Sequence, residues 1–148
     1  MAEIGFYHLG TTPLDRALPK LLERALAGGF RVVVLAGSAE RVDHLDAVLW
    51  TYDEASFLPH GTARDGNAER QPIWLTSEDE PPPNGATMLV LTDGVRSSRL
   101  DGYKRCLDIF DGSDDSVAAA RERWKVAKAA GHALTYWQQT ASGWEKKA

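Results

Sequence analysis

Two short runs constrain this chain most: FRVVVLAG, from Phe30 to Gly37, and MLVLTDG, from Met88 to Gly94. Each is apolar at consecutive positions, so as a strand each must be covered on both faces. Around them lie segments with helical spacing. Leu14, Leu18, Leu21, Leu22 and Ala25 recur at that spacing, and Gly28-Gly29 end the pattern. Pro19 interrupts it and places the helix start near itself, with proline in the first turn. In SAERVDHLDAVLWTY, Ser38 is placed to cap a helix whose buried stripe is Val42, Leu45, Leu49 and Trp50. IGFYHL, CLDIFDG and a short run around Ile73 to Leu75 read as further strands. A last helix runs from about Asp114 to Ala130 and is closed by Gly131. Residues 53–71, rich in Gly, Asp, Asn and Pro, read as a long loop, and EPPPNGAT as a turn. The chain finishes in strand-like residues and a polar tail. Strands alternating with helices predict βαβ units, a mostly parallel sheet and helices on both faces. The length of 148 residues, with no repeat or linker, predicts one domain over 1–148.

Such a sheet offers a ligand crevice beyond the carboxyl ends of its strands. The turns that would line it lack the glycines of a phosphate cradle: the first strand leads into GTTPLD and the second into AGSAERVD. No P-loop motif occurs, and Asp93 in VLTDG reads as a turn residue. His8, His44, His60 and His132 stand at no metal-ligand spacing, and His8 and His132 adjoin apolar runs that would pack them. Cys106 opens an apolar segment and reads as an inert buried thiol. No serine-nucleophile elbow is present. These features predict no catalytic residue, no metal and no cofactor. A small nucleotide-binding protein or nucleotide-dependent enzyme on the same fold stands as the alternative. No apolar run is long enough to span a membrane, and MAEIGFYHLG lacks the pattern of an export signal, so a cytoplasmic location is expected.

The formal net charge is -4, yet the region from Arg121 to Lys147 is basic. Arg121, Arg123, Lys125, Lys128, Lys146 and Lys147 face only Glu122 and Glu145 there, a local excess of four positive charges. At about 100° per residue, Val117, Ala120, Trp124, Ala127 and Gly131 share one side of the helix, and Arg121, Lys125 and Lys128 border it. Asp114 and Asp115 suit the helix start. Two readings stand: a solvated basic face with Trp124 in the core, or an apolar notch rimmed by cations. The second suits an acidic peptide with an apolar end, because guanidinium and ammonium groups hold carboxylates while small alanines leave the groove open. One aromatic is a thin platform for stacking a nucleic-acid strand, so nucleic acid is expected to bind only indirectly or weakly.

FYHL, LDAVLW (Leu45 to Trp50), SFLPHG (Ser56 to Gly61) and ARERWKVAKAAGHAL (Ala120 to Leu134), in this order, resemble the chi subunit of bacterial DNA polymerase III. The resemblance implies a single Rossmann-like α/β domain that catalyses nothing. It implies two partners. One is the acidic C-terminal tail of single-stranded DNA-binding protein, which ends in Pro-Phe. The other is the psi subunit, which leads to the clamp loader. Arg121, Trp124 and Lys125 match the tail-binding helix of the family, and the helical wheel adds Lys128. The family often carries tyrosine at Trp124, and some members carry lysine where this chain has Val117, so the cationic rim is thinner here. Trp50, Phe57, Pro59 and His60 match the psi-facing region, with Phe57 as the anchor; a plain core role for Trp50 and Phe57 stands beside that assignment. Residues 62–86 match none of these motifs.

Overall fold

The computed structural model describes residues 2–53 and 58–148. The two apolar runs sit where their lack of alternation requires. β2 (Val32–Leu35) and β5 (Met88–Leu91) are buried at every position and pair with each other in parallel. Outward from β2 come β4 (Ile73–Thr76) and the two-residue β3 (His60–Gly61). Outward from β5 come β6 (Arg105–Phe110), β1 (Glu3–His8), β7 (Ala133–Thr140) and β8 (Gly143–Lys146). All pairs are parallel except β7 with β8. The α/β sheet is therefore mostly parallel, as predicted, and helices lie on both of its faces.

Alternation along each strand sorts side chains between two layers. Tyr7, Val32, Val34, Ile73, Leu75, Val90, Leu107 and Ile109 pack with α1 (Leu14–Ala27) and α2 (Ala39–Thr51). Ile4, Phe6, Val33, Leu35, Leu89, Leu91, Cys106 and Phe110 face the other way, toward α3 (Asp114–Ala129) and the segment carrying Leu100 and Tyr103. No helix of the described residues is long and apolar enough to cross a membrane.

The caps follow the sequence. Ser38 and Ser113 accept hydrogen bonds from the Arg41 and Ser116 amides, 3.2 Å in each case. At the end of α3, Gly131 takes a left-handed φ of 87°, and the His132 N–H bonds back to the Ala127 carbonyl. That is the closure a helix-ending glycine provides.

Three expectations are corrected. The first helix begins at Leu14, with Pro19 inside it and buried. Pro13 takes the cap position, and the ladder bond lost at Pro19 is offset by burial of Leu18, Leu21 and Leu22 around it. Trp50 is not part of the buried stripe: it is 54% exposed. It lies about 100° around the helix from the Val42–Leu45–Leu49 stripe. The polar tail is a strand: β8 pairs antiparallel with β7, and Trp144 packs edge-on against Tyr7.

Candidate functional site

α3 reaches the sheet through small residues. Ala120 and Ala127 are buried, and between them Arg123 turns inward. Its guanidinium donates to both carboxylate oxygens of Asp108 on β6, at 2.6 and 3.0 Å, with both side chains almost fully buried. Burial pushes the Asp108 carboxyl up and the guanidinium pulls it back. Arg123 thus leaves the basic face to which its place in the sequence assigned it. A cation beside the apolar stripe goes inside when a strand carboxylate meets it there, and Asp108 is 15 residues upstream.

Two of the other cations, Arg121 and Lys125, border an open groove of about 320 Å³, lined also by Phe6, Val117, Ala120, Trp124, Tyr136 and Ala148. Its floor is aromatic. Trp124 is half-buried, with Phe6 at 5.2 Å and Tyr136 at 6.2 Å between ring centroids, both edge-to-face. The Tyr136 hydroxyl is fixed by His8 Nδ1 at 2.7 Å, so the ring cannot swing out without losing that bond. Burial raises the Tyr136 pKa, and the Arg121 charge lowers it in part. Arg121 makes no ion pair among the described residues. Lys125 is paired with Glu122 at 3.2 Å, both well exposed. Exposed pairs of this kind contribute about 0–1 kcal/mol, so Lys125 can exchange its partner at little cost.

Arg121, Trp124 and Lys125 therefore come together as the sequence predicted, and Trp124 forms a wall of the groove rather than core. Lys128, exposed in the last turn of α3, does not line it. Val117, which leaves the cationic rim thinner, adds apolar wall. Sequence reasoning missed Phe6, Tyr136 and Ala148 as lining residues. Phe6 and Tyr136 are register partners on adjacent strands, and Ala148 exchanges backbone hydrogen bonds with Tyr136. A strand register between residues 130 positions apart leaves no local signal.

The predicted psi-facing residues divide. Phe57 lies outside the described residues. Trp50 is exposed at the end of α2, its ring 4.6 Å from that of His60. The His60 side chain is wholly buried, between the Leu58 carbonyl at 2.6 Å and Asp46 Oδ1 at 3.0 Å, the latter too oblique for a hydrogen bond. His60 can therefore contribute to that face only by supporting Trp50. Pro59 is half-buried beside it.

A crevice of about 530 Å³ lies beyond the carboxyl ends of β1 and β6, where the chain departs to opposite faces of the sheet. A nucleotide would be expected there on this fold. Its charged groups are mostly committed to each other. Asp93, in left-handed conformation at φ 57°, accepts from the Gly37 N–H at 3.0 Å and from Arg41 at 3.2 Å. It fills the place before α2 where a phosphate would sit. Arg123 is held by Asp108, and Asp111 and Asp115 add negative charge. Among the described residues no group of three His, Cys, Asp or Glu could hold a metal ion. Cys106 is buried and its thiol is pushed up to about 12 by burial and by Asp108, so it is not a poised nucleophile.

The family model described as DNA polymerase III chi subunit, HolC, matches residues 1–135, which include α1, α2 and α3. A protein of Rickettsia prowazekii (strain Madrid E), named probable DNA polymerase III subunit chi, is 28% identical over 110 residues, covering 74% of this chain and 66% of its own length, just under two thirds. The DNA polymerase III subunit chi of Escherichia coli (strain K12) is 23% identical over 128 residues, or 84% of this chain and 85% of that protein. The matched span carries α3, most of the groove it borders and the Trp50 face, and on that span the chain belongs to the DNA polymerase III chi subunit family.

Proposed function

We propose that this protein is a non-catalytic accessory subunit of the replicative polymerase that links the clamp loader to single-stranded DNA-binding protein. The groove beside Trp124 takes the acidic C-terminal tail of the latter. One observation carries the reading: a concave aromatic floor of Phe6, Trp124 and Tyr136 with Arg121 and Lys125 at its rim. A terminal phenyl ring enters edge-to-face on that floor, which removes apolar area from water. The chain-end carboxylate and the acids before it meet Arg121 and Lys125. Each contact is modest, and several copies of the tail on one coated strand raise the effective concentration. The Trp50 face is the surface for the psi subunit or another clamp-loader component, with the exposed indole as the apolar contact.

Calorimetric titration tests this with a tail peptide ending in Pro-Phe and the same peptide without its phenylalanine. Arg121→Ala should weaken the first by about 1–3 kcal/mol, the range for losing a charge-assisted hydrogen bond. Trp124→Ala should bring the two peptides to equal affinity. Equal affinity of the unaltered protein for both peptides would remove the apolar pocket from the proposal.

A further inference from the structure

β1 and β7 run side by side, and their residues alternate between faces, so the strands that build the groove on the α3 side also present side chains on the α1 side. Phe6 and Tyr136 face α3. Their neighbours Tyr7 and Trp137 face α1, and the two rings stack with centroids 6.1 Å apart and planes 9° apart. Trp144 of β8 closes edge-on against Tyr7 at 5.1 Å. Tyr7 is buried, whereas Trp137 and Trp144 are each only half-covered. Between this cluster and the last turn of α1 lies an open groove of about 360 Å³.

Two arginines line it. Arg24 projects from the last turn of α1, and Arg105 stands at the start of β6. Both are exposed, and neither makes an ion pair among the described residues. Glu3 stands across the ladder from Arg105 and points to the same face, yet the two do not pair. The groove therefore repeats the chemistry of the first: an aromatic floor, half-open, with two cations at its edge. Trp137 and Trp144 follow residue 135, where the family match ends.

We propose that this groove is a second acidic-peptide site, on the opposite face of the sheet, which takes a segment whose carboxylates meet Arg24 and Arg105 and whose large apolar side chain packs on Trp137 and Trp144. Charge complementarity sets the occupant. Guanidiniums on exposed stems hold carboxylates bidentately. Two cations are too few to follow a phosphate backbone, and the chain as a whole carries a net charge of -4. The class of ligand rests on the reading of the first groove; the second site does not require the first to be occupied.

The test is calorimetry on the full chain with a short synthetic peptide of aspartates ending in Pro-Phe. Two binding events are expected. Arg121→Ala should weaken one at least about tenfold and leave the other. The double variant Arg24→Ala/Arg105→Ala should weaken the remaining event at least about tenfold, the low end for loss of charge-assisted bonds. A single event, weakened by Arg121→Ala and untouched by the arginine pair, overturns the second site and leaves the first. A single event weakened by the arginine pair and untouched by Arg121→Ala supports the second site and removes the first. No binding of the peptide by the unaltered chain overturns both. A parallel titration with a fluorescent single-stranded oligonucleotide adds one further outcome: if the arginine pair governs oligonucleotide binding but not peptide binding, the face is a nucleic-acid surface and the peptide site is refuted.

Discussion

Replacing Arg123 with methionine should destabilise the protein by about 3–5 kcal/mol at pH 7, because it leaves the Asp108 carboxylate buried without its counter-ion. The figure follows from the geometry. The pair is bidentate at 2.6 and 3.0 Å, with the arginine and aspartate side chains only 7% and 4% exposed. A solvated pair would contribute about 0–1 kcal/mol. Domains are stable by about 5–15 kcal/mol, so the variant should be marginal. The loss should depend on pH. Burial already holds the folded pKa of Asp108 above its ordinary value, and without the guanidinium that rise is no longer offset and grows. A group of that kind contributes stability below the unfolded pKa and loses it as pH rises, so the variant should approach the unaltered protein toward pH 4. The double variant Asp108→Leu/Arg123→Met buries no charge and should recover most of the loss. It should also keep its affinity for the tail peptide, since neither residue lines the groove. Urea unfolding followed by tryptophan fluorescence, at neutral pH and near pH 4, supplies the numbers. A single-variant loss below about 1 kcal/mol with no pH dependence would mean that Arg123 is solvated. It would then rejoin the cationic face of α3.

A methyl group added at Gly5 would sit 2.6 Å from the Tyr7 ring, which Trp137 and Trp144 hold in place. Gly5→Ala should therefore cost about 1–3 kcal/mol and alter the near-ultraviolet circular dichroism of that cluster; an unchanged spectrum would show the cluster to be loosely held. Tyr103 is pushed up from 10.0 to about 12, chiefly by burial, and Cys106 from 9.0 to about 12 for the same reason. Both are neutral acids whose folded pKa is raised, so their stability contribution is full below the unfolded values and is lost as pH climbs from about 9 to 12. The urea midpoint should fall across that window, and Tyr103→Phe should flatten the part above pH 10. Native Cys106 should resist thiol reagents until the chain unfolds. Ser38→Ala should cost about 1 kcal/mol by removing the cap of α2, read from the same urea titration.

What was legible in the sequence is what is encoded locally. Val32–Leu35 and Met88–Leu91 announce a doubly covered sheet because every position is apolar. Asp114, Asp115 and Gly131 mark both ends of α3 because helix ends favour those residue types within a few positions, and Ser113 beside them supplies the cap. Arg121, Trp124 and Lys125 share a helix face, so helical geometry alone groups them. What was not legible depends on distant partners. Arg123 stands at helical spacing from the buried Ala120 and Ala127, as Lys125 does not, but only Asp108 on another strand supplies the partner that lets a charge be buried there. The floor under Trp124 comes from the register of β1 against β7. The tail became a strand because Trp144 finds Tyr7, a contact across most of the chain. Trp50 could have been placed correctly: its angle from the buried stripe was already in the spacing.

The crevice at the strand ends and the groove beside α3 differ in how their polar groups are satisfied. In the crevice the polar groups are satisfied from within. Asp93 takes the Gly37 amide and Arg41, and Asp108 takes Arg123, so a phosphate arriving there would have to displace a carboxylate from each cation. On the face of the sheet the balance is opposite. The aromatic floor is half-open, Arg121 has no carboxylate of its own among the described residues, and Lys125 has only a solvated one. Binding energy is available where internal partners are missing, and that condition holds on the faces of β1 and β7 rather than at the strand ends. A partner that brings its own carboxylates and a ring supplies both missing components at once, whereas a nucleotide supplies charge to a place that already holds it.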